Sequence, residues 1–210
     1  MNVFQYIAQN HGEVLELTLE HLWMVVASTL FAVLVGIPLG ILSSRRPGWN
    51  KAVLGTANVI QTIPSLALFA FLLPVPWIGV RSGRLAILAL TLYALLPLIR
   101  NTYAGIKGVD PAIVEAGRGM GMTDRQLLFR VELPLALGFI IAGVRVAAVI
   151  SVGLATIAAA LGAGGLGEYI FRGLSMVNNQ IILVGAIPAA ALALLVDATL
   201  GWVEHRLSAI

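Results

Sequence analysis

Along the chain, apolar residues gather into five runs separated by shorter polar stretches, at roughly residues 21–42, 52–73, 85–99, 134–161 and 181–203. A helix needs about 20 such residues to cross the hydrocarbon core of a bilayer. The third run is short and is expected to extend through Tyr103 to the bilayer edge. Helix is the conformation open to these runs, because lipid-exposed backbone must satisfy its own hydrogen bonds. The period-two alternation of a transmembrane barrel strand is absent. The pattern predicts an all-α integral membrane protein with five transmembrane helices, forming a single membrane domain over residues 1–210.

The polar stretches give the direction of insertion. Arg45, Arg46 and Lys51 follow the first run; Arg100, Lys107, Arg118, Arg125 and Arg130 lie between the third and fourth; Arg206 follows the fifth. These loops fall on one side and hold nine of the thirteen Lys and Arg residues, which marks that side as cytoplasmic. The other side holds Arg81, Arg84 and Arg172, and the opening segment carries Glu13, Glu16 and Glu20 with no Lys or Arg. The expected orientation is N-terminus outside and C-terminus inside. Residues 1–17 form an outer interfacial segment, and Met1 to Asn10 reads as a short surface helix with Phe4, Tyr6 and Ile7 on its apolar side.

The longest polar stretch, residues 101–133, has internal structure. Asp110-Pro111 is a helix start, with Asp as cap and Pro suited to the first turn. Ala112, Ile113 and Ala116 follow as an apolar stripe, which Gly119 and Gly121 interrupt. Beyond Met122, Thr123-Asp124 offers a second start, and Leu127, Leu128 and Val131 sit at helical spacing up to Pro134, which is expected to end this element and open the next span. Two short helices around a glycine corner suit a protein partner; an apolar stripe lying on the membrane surface is the plainer reading.

Composition narrows the chemistry. The chain is 59% hydrophobic and 11% charged, against about 25% charged in ordinary soluble domains. Its mean hydropathy is +0.95. The net charge of +3 is of the kind that cytoplasmic loops supply, so it does not point to nucleic acid. With no cysteine, disulfides, thiolate chemistry and cysteine-ligated metals are excluded. His11, His21 and His205 are scattered and show no metal spacing. No Gly-x-x-x-x-Gly-Lys-Ser/Thr sequence is present, so no nucleotide-hydrolysing loop is expected on this chain.

Glu115-Ala116-Gly117, three residues, Gly121, nine residues, then Val131-Glu132-Leu133-Pro134 resembles the EAA loop of binding-protein-dependent ABC importer permeases. That pattern runs Glu-Ala-Ala, three residues, Gly, nine residues, Ile, one residue, Leu-Pro. Gly117 stands for the second Ala and Val131 for Ile. The resemblance implies a type I permease fold in which this loop is a coupling helix seated in a groove of a cytoplasmic ATPase. Its contact set would be Glu115, Ala116, Gly117, Gly121, Met122, Thr123, Leu133 and Pro134.

Thr18-Leu19-Glu20-His21-Leu22, Gly36-Ile37-Pro38-Leu39-Gly40, Gln61-Thr62-Ile63-Pro64-Ser65-Leu66-Ala67-Leu68 and Gly162-Ala163-Gly164-Gly165-Leu166-Gly167 are similar to the permeases of osmoprotectant importers. Those take up glycine betaine, choline and carnitine. The resemblance covers the full chain and implies a multi-pass protein of the bacterial inner membrane that is half of an alternating-access pathway. Its implied partners are a second permease, identical or similar, two copies of the ATPase carrying ATP and Mg, and a periplasmic or lipid-anchored substrate-binding protein. Because the chain ends at Ile210, that binding protein is expected on a separate polypeptide. The nearest alternative is a permease for another small solute, such as an amino acid. A secondary transporter would rely on ionisable networks or repeats, which are sparse here.

Four further features carry open readings. Pro64 breaks the second run beside Asn58, Gln61, Thr62 and Ser65. These residues either line the translocation path or make helix–helix hydrogen bonds around a packing kink. Gly162, Gly164, Gly165 and Gly167 form either a flexible break acting as outer gate or docking surface, or a plain loop. Arg145 and Asp197 lie deep in spans, Arg145 about 16 Å from Pro134 along the helix, and are expected to pair. Gly36 and Gly40 suit close helix contact within the subunit. Trp23, Trp49, Trp77 and Trp202 fall near span ends, as an interfacial belt does.

Overall fold

The structure is a computed structural model that describes residues 3–76 and 82–208; Trp77, Arg81, Met1 and Ile210 lie outside the described residues. Every regular element among the described residues is helical: α1 (Val3–Gln9), α2 (His11–Arg45), α3 (Pro47–Thr62), α4 (Ser65–Leu72), α5 (Ser82–Lys107), α6 (Pro111–Gly119), α7 (Asp124–Leu127), α8 (Leu133–Ala158), α9 (Gly167–Ser175) and α10 (Asn179–Ser208). A π-turn at Leu128–Glu132 joins α7 to α8. Four helical stretches are long and apolar enough to cross a membrane, and α3 with α4 makes a fifth candidate, bent by 99°.

Helix α5 is the centre of the bundle. Leu85, Ala86, Ala89, Leu90, Ala94, Leu98 and Ile99 are almost wholly buried, because small residues and leucines alternate around the helix and let neighbours approach from several sides. On the α2 side the approach is closest at Gly36 and Gly40. A Cβ on Gly40 would stand 2.5 Å from Thr102 Cβ, and one on Gly36 2.9 Å from Leu98 Cβ. The glycine pair of α2 is thus a seam within the subunit. On the α8 side Gly143 has the same part, where a Cβ would lie 2.8 Å from Asn101 Cβ. Helix α10 packs on α8 and α9. It keeps Leu194 and Leu195 71% and 62% exposed.

The ends of the elements depart from the sequence pattern in three places. Helix α2 runs back to His11, ten residues before the apolar run, because Val14 and Leu17 bury against Tyr169 and Val184. In α1, Val3, Tyr6 and Ile7 pack on that cluster while Phe4 is 70% exposed. The spacing i, i+3, i+4 makes Val3, rather than Phe4, the partner of Tyr6 and Ile7. The segment after Thr123 does not end at Pro134. Helix α7 continues through the π-turn into α8, and Pro134 sits in the first turn of α8. Trp23, Trp49 and Trp202 are each more than half exposed.

Candidate functional site

Helix α5 stops where the Gly108 N–H donates to the Ala104 carbonyl, 2.8 Å. Asp110 then opens α6, its carboxylate accepting from the Ala112 N–H at 2.8 Å, with Pro111 in the first turn. The far end of α6 is closed by backbone bonds. The Met122 N–H donates to the Gly117 carbonyl (3.1 Å) and the Gly121 N–H to the Arg118 carbonyl (2.9 Å). This Schellman arrangement requires a left-handed residue at its corner, and Gly121 has φ +79°. The glycine is there for its backbone, since a Cβ at 121 would meet nothing within 4 Å.

After the corner, Thr123 caps α7 reciprocally. The Gln126 N–H donates to the Thr123 hydroxyl oxygen, and the Thr123 N–H donates to Gln126 Oε1 at 2.8 Å. Gly117 is buried where α6 folds on α7; a Cβ there would lie 2.8 Å from Leu127 Cδ2. The residues around it face outward: Glu115, Ala116, Thr123 and Pro134 are exposed, with Ile113 at 45% and Met120 at 75%, and Met122 and Leu133 are half-buried. The corner therefore offers a firm ridge with a small-residue flank, a carboxylate and a protruding methionine.

Behind the ridge lies the π-turn, where the Leu133 N–H reaches back to the Leu128 carbonyl. A proline at 134 has no N–H for the carbonyl of residue 130, so a wider turn just before it suits this position. Glu132, the last residue of the turn, is buried, and its carboxylate takes a forked contact from Arg45 at the end of α2, with Nη1 to Oε1 at 3.3 Å. Sequence reading passes over Glu132 as a free motif position. The available signal is a carboxylate at the lip of an apolar run.

The other expected residues fall at three separate places. At the α3–α4 bend, Ile63 is extended (ψ 126°), the conformation favoured before proline. Gln61 donates to the Tyr93 carbonyl at 3.1 Å, and the Tyr93 hydroxyl donates back to the Ile63 carbonyl freed by the break. Asn58 accepts from Arg100 at 2.9 Å. Thr62 is exposed and bonds within its own helix, and Ser65 is half-buried. For Gln61 and Asn58, then, the side chains make helix–helix bonds.

The glycine segment 162–167 is a packed turn rather than a slack linker. Gly162, Gly164 and Gly165 all have positive φ. Gly164, Gly165 and Gly167 are buried. The Gly165 N–H donates to Glu20 Oε2 at 3.0 Å, and a Cβ on Gly167 would stand 2.1 Å from the Thr156 carbonyl oxygen. Beside it, the buried His21 Nε2 donates to the Val152 carbonyl at 3.1 Å. Glu13 holds α9 to α2, accepting from the Tyr169 hydroxyl at 2.7 Å and from Arg172 at 2.9 Å. Burial, reinforced by Glu13, pushes the Tyr169 hydroxyl pKa up.

In the spans, Arg145 meets Asp197 through Nε to Oδ1 (2.6 Å) and Nη2 to Oδ2 (3.0 Å). Glu204, one further turn pair along α10, joins through Nη1 at 3.2 Å. Among the described residues no group of three or more His, Cys, Asp or Glu side chains is placed to hold a metal ion.

A family profile described as "Binding-protein-dependent transport system inner membrane component" matches residues 32–209. The chain is 49% identical over 206 residues to the glycine betaine/carnitine/choline transport system permease protein OpuCD of Bacillus subtilis, covering 98% of this chain and 89% of that one. It is 43% identical over 206 residues to the carnitine transport permease protein OpuCB of Listeria monocytogenes, covering 98% and 93%. Among solved structures, the inward-facing MetNI methionine ABC transporter matches with a TM-score of 0.86 at 23% identity, covering 94% of this chain and 97% of that one. That likeness speaks to the fold.

Proposed function

This chain belongs to the family of binding-protein-dependent transport system inner membrane components, and on that premise we propose that it is the permease subunit of an ATP-driven importer of quaternary ammonium osmoprotectants such as glycine betaine, carnitine and choline. It supplies half of an alternating-access pathway in the bacterial inner membrane, with a second permease supplying the other half. Five spans run from an outer N-terminus to an inner C-terminus, the α3–α4 pair counting as one.

The observation that carries this reading is the α6–α7 corner. Its backbone is fixed by Asp110, Gly121 and Thr123, while Glu115, Ala116 and Met120 stand free on its outer side. A preorganised, capped ridge at the basic side of the membrane is what an ATPase groove needs, because little ordering entropy is lost on docking. Glu115, Ala116, Gly117, Gly121, Met122, Thr123, Leu133 and Pro134 form or support that contact. One ATPase docks on each of two permeases, and closure of the ATPase pair around ATP and Mg displaces the ridge. A periplasmic or lipid-anchored binding protein delivers the solute from outside. The substrate class follows the names of relatives 40–49% identical over nearly the whole chain.

The test is reconstitution of the full complex in proteoliposomes. Binding protein loaded with glycine betaine should stimulate ATP hydrolysis and drive uptake of labelled glycine betaine. Uptake that persists when the ATPase is omitted contradicts the reading, and uptake driven only by another solute class overturns the substrate assignment.

A further inference from the structure

The coupling ridge is joined through the backbone to α5 on one side and α8 on the other. Helix α2 has no such connection, yet it is fastened to the ridge by a side-chain contact spanning 87 positions of sequence. Arg45 is the last residue of α2 and Glu132 the last of the π-turn. We propose that the Arg45–Glu132 pair is a positioning strut that carries displacement of the coupling ridge into α2. The proposal rests on the reading of the ridge as the ATPase contact.

Three observations support it. The contact is two-pronged, with Nη1 on Oε1 at 3.3 Å and Nη2 on Oε2. A guanidinium fork on a carboxylate fixes direction as well as distance, which a single bond does not. The carboxylate is also deep: the Glu132 side chain is 7% exposed against 30% for Arg45, and among the described residues no other cation lies within ion-pair distance of it. A buried carboxylate deprived of its partner is strongly disfavoured, so the pair holds through small movements of either helix.

The third observation is the place of the strut. The π-turn is the least regular part of the path from ridge to α8, wider than the helices on either side of it. Glu132 closes the turn against the first residue of α8, so its carboxylate moves with the α8 end of the turn, and Arg45 draws the inner end of α2 along. Gly36 and Gly40 then pass that movement to α5 through their close contact with Leu98 and Thr102.

The experiment uses the complete complex in proteoliposomes and reads two quantities: ATP hydrolysed and solute taken up. E132Q should continue to hydrolyse ATP in response to loaded binding protein, while uptake per ATP falls about tenfold, within the range of coupling factors between linked sites. R45E should do the same, and the charge-swapped R45E/E132R should recover most of the lost ratio. R45K, which keeps the charge and loses the fork, replaces E132Q should that variant not assemble, and its ratio should also fall. Wild-type uptake per ATP in E132Q, R45E or R45K overturns the proposal. So does loss of hydrolysis and uptake in equal proportion, or failure of every variant to assemble, because the pair then serves the fold alone. If the wild-type complex itself shows no ATP-dependent uptake, it is the functional reading that fails, and the two failures are thereby distinguished.

Discussion

The α6–α7 corner and the 162–167 turn both rely on glycine with positive φ, and they use it in opposite ways. At the corner, Gly121 sits in open space and is needed only for its backbone angle. Every bond that shapes the corner comes from within seventeen residues, Asp110 to Gln126 and the backbone between them. At the turn, Gly164, Gly165 and Gly167 are hemmed in by Glu20, His21, Met24 and Thr156, contributed by α2 and α8. The corner is thus shaped by its own sequence and leaves one face unoccupied, as a docking element must. The turn is shaped by its neighbours and leaves little face to offer.

The comparison is sharpest where the two regions should respond differently to the same kind of change. The largest effect is expected of Gly167→Ala, which drives a methyl into the Thr156 carbonyl oxygen at 2.1 Å. Backbone cannot step aside as a flexible side chain can, and the cost should reach about 3 kcal/mol, read as lower yield and earlier thermal unfolding in detergent. An unchanged melting temperature would mean that the turn is slack after all.

Gly121→Trp should be opposite in character. Residue 121 is exposed and a Cβ there meets nothing within 4 Å, and the left-handed backbone costs a non-glycine residue only about 1–2 kcal/mol. The subunit should insert and fold, while ATP-driven uptake falls by more than about tenfold, a docking loss of at least 1.4 kcal/mol. Normal transport by this variant would remove the ridge from the ATPase contact.

Two smaller changes test the local and distant bonds directly. Asp110→Ala removes a cap worth about 1 kcal/mol. Its effect should stay within α6, as faster amide exchange at 112–114 with the melting temperature of the bundle unaltered. Tyr169→Phe removes one hydrogen bond, at 2.7 Å to Glu13, and should cost about 0.5–1 kcal/mol. That loss should appear as looser docking of α9 on α2, measured by exchange in both helices together. Loosening confined to α9 would argue that the Arg172 contact alone holds the two.

This division also explains what could be read from the sequence. The five runs, the Asp110 and Thr123 caps and the glycine corner all depend on residues a few positions apart, and each is visible in the residue pattern. The pairing of Arg145 with Asp197 is expected from depth alone, because charges there must find a partner; that Glu204 joins them depends on the helical phase of α10 against α8. The π-turn, the Arg45–Glu132 contact and the Glu13–Tyr169–Arg172 cluster are invisible in the linear pattern. The partners in the two side-chain contacts lie 87 to 159 positions apart, and packing rather than propensity brings them together. The extension of α2 back to His11 belongs with them, since Glu13, Glu16 and Glu20 make that stretch look like an outer loop until Val14 and Leu17 are seen to bury.

The near contact of Gly36 and Gly40 with α5, and of Gly143 with the same helix, bears on how the subunit can move. Backbones meshed this closely have no clearance for sliding, and dense packing yields between discrete arrangements rather than by continuous deformation. Each of these seams therefore keeps its register or steps to another packed one. Where such a seam steps, both of its helices must move with it, and α10, tied to α8 through Arg145, Asp197 and Glu204, follows on its inner face while Leu194 and Leu195 stay exposed.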